Sequence, residues 1–386
     1  MKEILKLNEI SPVANSAFPT DYALVKESEN PTGIMLRSFN MHEYAIPASV
    51  LAIARAGAGV NNIPVADCAE KGIVVFNTPG ANANAVKELV LCSLLLASRK
   101  IVDGIDWVKS VKDDPALSKT VEKGKSKFVG PEILGKKLGV IGLGAIGAMV
   151  ANSAHALGME VYGYDPYISV DAAWNLSRAI KHETDLVHLL SVCDYVTLHI
   201  PYTGENKGMF NTETIAKMKT GAALINLSRG ELVDSAAVLE ATANGKLSRY
   251  VTDFADASLV GAPNVICMPH LGASTPEAED NCAVMAAQEL VDFIDNGNIN
   301  KSVNYPNCAM PRSSACRVTV CHKNQPNMIA AITAALSKEG LNIENFVDKS
   351  KGDFAYSILD LNATPSAQTM EELNAVDGVI RTRVIA

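Results

Sequence analysis

An arginine and a histidine each follow a short apolar run in the second half of the chain. Arg229 comes soon after residues 223–227, and His270 comes soon after residues 265–268. In open parallel sheets ligands bind beyond the carboxyl ends of the strands, so both side chains would reach one edge. A guanidinium can clamp a carboxylate, and an imidazole can exchange a proton with a hydroxyl. The pair predicts acid–base chemistry on a small anion, although each residue alone could be a surface ion pair or a hydrogen-bonded loop side chain.

A glycine-rich turn lies between two apolar segments. Residues 142–147 read GLGAIG, with apolar residues 138–141 before them and 148–157 after them. This strand–turn–helix context is typical of a dinucleotide site, where the glycines allow the turn, the approach of the pyrophosphate and close helix packing. The predicted cofactor contacts in this turn are Gly142, Gly144, Ala145, Ile146 and Gly147.

Asp165 ends the next apolar run, residues 160–164. Its carboxylate can bond the ribose hydroxyls of NAD. A 2′-phosphate beside it would meet like-charge repulsion of roughly 1 to 4 kcal/mol, and the following Pro166 and Tyr167 supply no arginine. We therefore expect NAD as the cofactor, not NADP.

Composition excludes several classes of protein. The 386 residues carry a net charge of −8, which gives no basic field for nucleic acid. No apolar run reaches membrane-spanning length, and the first ten residues lack a signal-peptide core, so we expect a cytoplasmic protein. The eight cysteines form no CxxC pair and are expected to be small buried thiols, with no metal site.

The alternation of apolar runs predicts an α/β protein in which one domain interrupts another. Strand-like runs precede and follow the glycine turn, and two long helical patterns, residues 85–99 and 277–296, would connect the domains. We expect a doubly wound parallel sheet at residues 84–274, inserted in a discontinuous substrate domain formed by residues 1–83 and 275–305.

The last part of the chain predicts a separate unit. Residues 306–315 contain two prolines and small polar residues, the composition of a linker. Residues 316–386 then follow a βαββαβ pattern, which is typical of a ferredoxin-like fold.

The combined motifs resemble the D-isomer-specific 2-hydroxyacid dehydrogenases. The resemblance rests on residues 140–147, Asp165, residues 199–201, 226–234 and 269–275. Residues 37–38, 53–62 and 75–88 are similar to members of this family that act on phosphoglycerate. The resemblance covers nearly the whole chain. It implies a Rossmann-type domain within a flavodoxin-like substrate domain, a carboxyl-terminal ACT-type regulatory domain, and a homodimer or homotetramer.

The resemblance also implies an activity and its residues. The activity is NAD-dependent oxidation of 3-phosphoglycerate (3-phospho-D-glycerate) to 3-phosphohydroxypyruvate, the first step towards L-serine. Arg229 would clamp the carboxylate, His270 would carry the proton, and Asp253 would bond the nicotinamide carboxamide. Further cofactor contacts would be Ile200, Pro201, Leu227, Ser228 and Gly272. The implied substrate contacts are Arg37 at the phosphate, Ser38, Ala58, Gly59, Asn61 and Asn82.

One position departs from the family pattern. Members normally have a glutamate a few residues after the position of Asp253, where it bonds the histidine and stabilises the imidazolium. Residues 253–259 read DFADASL, with alanine or serine at that position. We expect either that Asp256 substitutes in part or that His270 works without such a partner.

The carboxyl-terminal unit carries a polar cluster of its own. In serine-regulated relatives a histidine and two asparagines at the positions of His322, Asn324 and Asn342 bind L-serine between paired ACT units. The resemblance therefore implies a serine effector site, and the alternative is a set of loop-capping residues without a ligand.

Two other functions stay open at this point. One is a dehydrogenase for another small D-2-hydroxy acid, such as glycerate or 2-hydroxyglutarate, which Arg37 disfavours. The other is a noncatalytic NAD-sensing or serine-sensing protein, suggested by the missing glutamate, which the presence of both Arg229 and His270 disfavours.

Overall fold

The chain leaves one folding unit for a second and then returns to the first. In a computed structural model that describes residues 1–386 apart from the side chain of Asp171, the first unit comprises Met1–Ala81 and Pro276–Ala386. The second unit is Asn82–Thr275. The carboxyl-terminal residues belong to the first unit.

A parallel sheet of five strands lies in the first unit. Its strands are β1 Lys2–Lys6, β2 Tyr22–Val25, β3 Gly33–Leu36, β4 Ala52–Arg55 and β5 Val74–Asn77. They pair in the order β2-β1-β3-β4-β5, and every pairing is parallel. This order is that of flavodoxin-like folds, so the predicted flavodoxin-like fold is confirmed.

The second unit contains a seven-stranded parallel sheet. Its strands are β6 Lys137–Ile141, β7 Glu160–Tyr164, β8 Lys181–His182, β9 Tyr195–Leu198, β10 Ala222–Asn226, β11 Leu247–Thr252 and β12 Val265–Cys267. They pair in the order β12-β11-β10-β9-β6-β7-β8. The central strands β9 and β10 are buried throughout, which explains their continuous apolar sequence. This doubly wound sheet confirms the predicted Rossmann-type domain.

The carboxyl-terminal residues form an antiparallel sheet of four strands. Its strands are β13 Cys316–Lys323, β14 Ile343–Lys351, β15 Phe354–Leu361 and β16 Val379–Ile385. They pair in the order β14-β15-β13-β16, and every pairing is antiparallel. With a helix after β13 and another after β15, this is the predicted βαββαβ arrangement.

Twelve α-helices cover the sheets. They are α1 Val65–Glu70, α2 Ala83–Ser98, α3 Ile101–Ser110, α4 Leu117–Gly124, α5 Ala145–Ala156, α6 Val170–Trp174, α7 Leu186–Val192, α8 Thr212–Lys217, α9 Ser235–Ala243, α10 Pro276–Asn296, α11 Met328–Ser337 and α12 Ala367–Asn374. None of the helices in the described chain is long and apolar enough to span a bilayer. The expectation of buried cysteines is wrong for Cys92, which lies on the exposed face of α2; Cys267 is half-buried, and all eight cysteines are free thiols.

Residues 306–315, predicted as a linker, are fixed at both ends by buried polar groups. Just before them, Tyr305 is fully buried and its hydroxyl donates to the Ala69 carbonyl at 2.7 Å. Beyond them, the fully buried Arg317 guanidinium donates to both carboxylate oxygens of Asp360, at 2.6 and 3.0 Å. It also donates to the carbonyls of Asn296, Met310 and Pro311. Because Arg317 and Asp360 are both buried and paired with each other, loss of either charge would leave the other without its counter-charge.

One buried carboxyl group of α10 has no partner. Glu289 is 8% exposed, and neither of its side-chain oxygens accepts a hydrogen bond in the described part of the chain. Burial raises the pKa of this carboxyl to about 8, although Lys301 lowers it in part. The folded protein therefore holds a proton here between about pH 4.5 and pH 8 that the unfolded chain releases.

The pH dependence of stability should change in Glu289→Gln. In the wild type the folded state binds the extra proton, so the free energy of unfolding should fall by roughly 3 to 5 kcal/mol as the pH rises through this window. The glutamine variant carries no charge and should lack this fall. Urea midpoints at pH 5.5 and pH 8.5 would measure the difference. An equal loss of stability in both proteins would contradict the assignment, and the exposed-site variant Glu344→Gln serves as the control.

Candidate cofactor and substrate site

The carboxyl edge of the second sheet collects most of the predicted site residues. Read across the edge from β12 to β7, the residues that follow each strand are His270, Asp253, Arg229, Ile200, Gly142 and Asp165. Successive strands are added on one side of β6 up to β8 and on its other side from β9 onwards. The boundary between β6 and β9 is therefore the topological switch point, where open α/β sheets bind ligands. The parallel register thus brings together residues that are far apart in sequence.

The glycine turn is fixed by a backbone contact that excludes any side chain. A Cβ added to Gly147 would lie 1.8 Å from the carbonyl oxygen of Gly142, and Gly142 itself has φ +89°. A Cβ on Gly144 would meet no atom within 4 Å, so open space lies in front of this residue. α5 begins at Ala145, and its first N–H groups are free to bind an anion. The turn therefore fits a pyrophosphate.

Asp165 is bonded to the backbone on both sides of its strand end. Its Oδ2 accepts from the Leu143 N–H at 2.8 Å, and its Oδ1 accepts from the Tyr167 N–H at 2.9 Å. These bonds tie the carboxylate to the glycine turn and hold its negative charge at the edge of the sheet.

The loops after β9 and β10 are joined by a hydroxyl group. Ser228 Oγ donates to the Ile200 carbonyl at 2.6 Å, and the Ser228 N–H donates to Asn226 Oδ1 at 3.2 Å. Leu227 is buried, whereas Pro201 is exposed. The two loops thus form one wall of the edge.

Asp253 has one buried oxygen without a partner. The residue is 2% exposed; Oδ2 accepts from the Gly272 N–H at 3.3 Å, and Oδ1 has no hydrogen bond among the described residues. Burial raises the pKa of this carboxyl, while the positive charges of His270 and Arg229 oppose that rise. An orphaned acceptor at the cofactor edge fits an amide donor such as the nicotinamide carboxamide.

His270 and Arg229 are accessible at the same edge. The His270 ring is exposed and packs on Phe254, with ring centroids 4.8 Å apart. Arg229 is half-buried, and its Nη1 donates to the Ser228 carbonyl at 2.7 Å. No carboxylate among the described side chains hydrogen-bonds to His270.

Asp256 is occupied elsewhere. It is exposed, and its two oxygens accept from the Ser235 hydroxyl at 3.0 Å and from the Ser258 N–H at 2.9 Å. These bonds hold the pKa of Asp256 below its usual value. The carboxylate therefore caps a turn, and its role as a partner for His270 gains no support from this geometry.

Two polar residues of the second unit have unusual surroundings. Asn82 precedes α2, and its Oδ1 is buried without a hydrogen bond among the described residues. His199 follows β9 and lies against Gly142 and Gly147 of the glycine turn. Burial lowers the pKa of its imidazole to about 3. His199 is therefore neutral at physiological pH and packs beneath the turn without carrying charge.

In the first unit, the substrate residues predicted from sequence follow β3 and β4. The backbone N–H of Arg37 donates to Asn8 Oδ1 at 2.9 Å. The guanidinium Nη1 of Arg37 pairs with Glu279 Oε1 at 2.6 Å. Ser38 and Asn61 are exposed, and Ala58 and Gly59 are half-buried. The Ala58 carbonyl accepts from the Asn77 side chain, which holds the loop after β4 to the end of β5.

A second arginine beside Arg37 escaped the sequence analysis. Arg55 ends β4, and its Nε donates to Asn62 Oδ1 at 3.1 Å. Both arginines lower the pKa of the buried Cys282 thiol, although desolvation outweighs them and leaves that pKa raised. Two arginines therefore lie at the carboxyl edge of the first sheet, Arg37 just after β3 and Arg55 at the end of β4. Arg55 could have been predicted from its position at the end of an apolar run, because the same criterion identified Arg229.

The three residues assigned to an effector lie in the carboxyl-terminal sheet. His322 is buried, with Nε2 bonded to Asp348 at 2.9 Å and Nδ1 bonded to the Lys323 carbonyl at 2.8 Å. Asn324 and Asn342 are exposed but lie at opposite ends of the sheet, since Lys323 and Ile343 pair with opposite ends of β15. Asn327 adopts φ +68°, a left-handed backbone conformation that favours glycine or asparagine. A single small ligand therefore cannot contact both asparagines within one copy of the chain.

Within the described residues, no group of three or more His, Cys, Asp or Glu side chains is placed to hold a metal ion.

Comparison with known proteins gives a consistent result. Residues 91–272 match the D-isomer specific 2-hydroxyacid dehydrogenase, NAD binding domain. The chain is 33% identical to D-3-phosphoglycerate dehydrogenase of Haemophilus influenzae over 342 residues, covering 85% of this chain and 79% of that protein. It is 31% identical to the Escherichia coli enzyme of the same name over 340 residues, with the same coverage. The NAD⁺-bound 3-phosphoglycerate dehydrogenase of Entamoeba histolytica aligns with a TM-score of 0.60 at 26% identity, covering 78% of this chain and 98% of that one.

Gly147→Ala should abolish tight binding of NADH. The added methyl group would overlap the Gly142 carbonyl, so the turn must open and its contacts with a pyrophosphate would be lost. We expect affinity to fall by at least about tenfold, as measured by NADH fluorescence titration. Gly204→Ala, where a Cβ meets nothing within 4 Å, should bind normally. Unchanged affinity in a folded Gly147→Ala protein would rule out this turn as the cofactor site.

Proposed function

Since the chain belongs to the D-isomer-specific 2-hydroxyacid dehydrogenases, we propose that it oxidises 3-phospho-D-glycerate at C2 to 3-phosphohydroxypyruvate. The observation that carries the proposal is the alignment of Asp165, Asp253, Arg229 and His270 along one sheet edge. NAD, the cofactor of this family, supplies the hydride acceptor. The names of the relatives support phosphoglycerate as the substrate.

Arg229 and His270 would divide the work on the substrate. The guanidinium of Arg229 can hold the carboxylate next to C2 through two hydrogen bonds and so fix the orientation of the carbon. The exposed imidazole of His270 can take the proton of the C2 hydroxyl. Asp253 and Asn82 each have a buried oxygen that accepts no hydrogen bond among the described residues, and these oxygens would face the carboxamide and the substrate respectively.

Asp253 is the best candidate for the charge that stabilises protonated His270. Burial raises the pKa of its carboxyl and the charge of nearby His270 opposes that rise, whereas Asp256 is bonded to Ser235 and Ser258. A buried negative charge close to the imidazole favours the imidazolium formed when the hydroxyl proton is taken. We propose that Asp253 takes over part of the role of the missing glutamate.

Arg37 is the proposed contact for the substrate phosphate. It lies at the same sheet edge as Arg55, and its guanidinium is paired with Glu279, both side chains being partly exposed. A phosphate carries more charge than a carboxylate and can displace Glu279 from the guanidinium. This favours a phosphorylated acid over glycerate or 2-hydroxyglutarate.

We further propose L-serine as an effector at the carboxyl-terminal sheet of a homodimer or homotetramer. Asn324 and Asn342 lie at opposite ends of one sheet, so a shared ligand needs a second copy of the chain. His322 would have to give up its bond to Asp348 or act by fixing the strand.

Arg37→Ala should discriminate between substrates. Loss of the charged contact should lower kcat/KM for 3-phospho-D-glycerate by roughly 10²-fold, because a charge-assisted pair is removed, and should change the value for D-glycerate by less than about threefold. Initial rates of NADH formation measure both. Lys71→Ala, an exposed charge on the loop after α1, serves as the control. Equal losses with both substrates would contradict the phosphate contact.

Turnover should separate the two aspartates. Asp253→Asn removes the buried carboxylate near His270 and the oxygen proposed to meet the carboxamide, so kcat/KM should fall roughly tenfold or more. Asp256→Asn should leave kcat/KM unchanged, because its carboxylate is bonded to Ser235 and Ser258. Initial rates of NADH formation measure both, and a loss confined to Asp256→Asn would assign the partner to that residue instead.

A further inference from the structure

A polar cavity lies against the carboxyl-terminal half of α10. It has a volume of about 530 Å³, and its lining includes Glu289, Asp292, Lys301, Asn298, Asn300 and Asn307. All these residues belong to the first unit and lie outside the strand ends that carry the predicted substrate contacts. The cavity is therefore a separate feature from the proposed catalytic residues.

A second cavity adjoins it on the other side of Lys301 and Asn307. It has a volume of about 500 Å³ and is lined by Lys301, Lys349 and Lys351 together with Asn77 and Pro79. Lys351 donates to the carbonyls of Ser302 and Val303, both at 3.0 Å, and its desolvation lowers its pKa. One end of the combined cleft is thus acidic and the other basic.

The acidic end offers acceptors that the protein does not use. Asp292 is satisfied by the side-chain amides of Asn296, Asn298 and Asn300. Glu289 is more than nine-tenths buried, and both of its oxygens lack a hydrogen bond in the described chain. A buried polar group without a partner is costly, which points to a donor supplied from outside the chain.

Few charges face Glu289. The elements packed most extensively against α10 are Pro12–Ala17, β3, β4 and β5, and Arg55 is their one ionisable side chain, with its guanidinium bonded to Asn62. Lys2 of β1 and Tyr22 of β2 also reach α10, where both bond Asp295 near its carboxyl end. Asp292 lies one turn further along α10, and Arg317 and Arg383 bind carbonyls at the end of the helix. Lys301 is the charged group that lowers the pKa of Glu289.

The backbone of Lys301 is fixed by a hydrogen bond, whereas its side chain has few contacts. It adopts φ +55°, and its N–H donates to Asn307 Oδ1 at 2.9 Å. Its ammonium contacts only the Met285 sulfur, at 3.5 Å, in the described structure. The ammonium can therefore still pair with an anion.

We propose that the two adjoining cavities form one site for a small zwitterionic amino acid, with its ammonium group at Glu289 and its carboxylate at Lys301. The ligand's ammonium supplies the donors that the Glu289 oxygens lack among the described residues, and its carboxylate pairs with the Lys301 ammonium, whose one contact in the described structure is the Met285 sulfur. A bare divalent cation fits less well, because the ammonium of Lys301 would repel it. The site is lined by Asn77 and Pro79 at the end of β5, so an occupant would touch the segment that leads out of the substrate sheet.

Calorimetric titration of the full-length protein with glycine, L-alanine and L-serine tests the proposal without any need for turnover. At pH 7 the Glu289 carboxyl is protonated, so pairing with an ammonium should release close to one proton per ligand, seen as a difference in heat between phosphate and Tris buffers. Glu289→Gln and Lys301→Met should each weaken binding by roughly ten- to hundredfold, and Glu289→Gln should abolish the proton release. Glu344→Gln serves as the control.

Ethanolamine and acetate, which each lack one of the two charges, should bind much more weakly than the amino acids. The absence of amino-acid binding at 10 mM would overturn the proposal. So would binding of serine that both variants leave intact, which would place the ligand elsewhere, or tighter binding of Mg²⁺ than of any amino acid. Each of these results would leave the proposed oxidation of phosphoglycerate untouched, because no step of the assay involves that reaction.

Discussion

The cofactor site depends on the close approach of two backbones, at Gly147 and Gly142. This contact leaves no room for a Cβ atom, so the turn after β6 and the start of α5 can lie this close only with glycine at position 147. Leu143 then reaches the Asp165 carboxylate, and His199 packs beneath the turn in its neutral form. Parallel pairing of β10, β11 and β12 brings Arg229, Asp253 and His270 to the same edge of the sheet.

The sequence alone predicts much of this arrangement, because the relevant signals are local. A glycine spacing reports a backbone approach, and a polar residue after an apolar run reports a strand end. The pairing partners are set by tertiary contacts and could not be predicted in the same way. Glu279 reaches Arg37 from a helix more than two hundred residues away in sequence, and Asp256 turns to Ser235 instead of His270. Strand β1 reads KEILK, with no alternation of polar and apolar residues, and the described side chains of α3 and α4 include none that is buried, so their patterns gave no clear signal.

The carboxyl-terminal residues show the limits of composition more sharply. Prolines and small polar residues predict a linker at 306–315, yet buried side chains on both sides bind it to its neighbours. Asn304 bonds β5 through both atoms of its amide, donating to the Ile73 carbonyl and accepting from the Val75 N–H. A polar residue in sequence can thus be a buried structural bond, and only the fold shows which it is.

The central claim is that this chain is a dehydrogenase whose substrate carries a phosphate. The most direct test is the initial rate of NADH formation by the wild-type protein, measured separately with 3-phospho-D-glycerate and with D-glycerate. The account predicts a kcat/KM at least about 100-fold higher for the phosphorylated acid, a preference that one charge-assisted contact can supply. Equal or better turnover of D-glycerate, or no NADH formation by a protein that binds NADH normally, would contradict it.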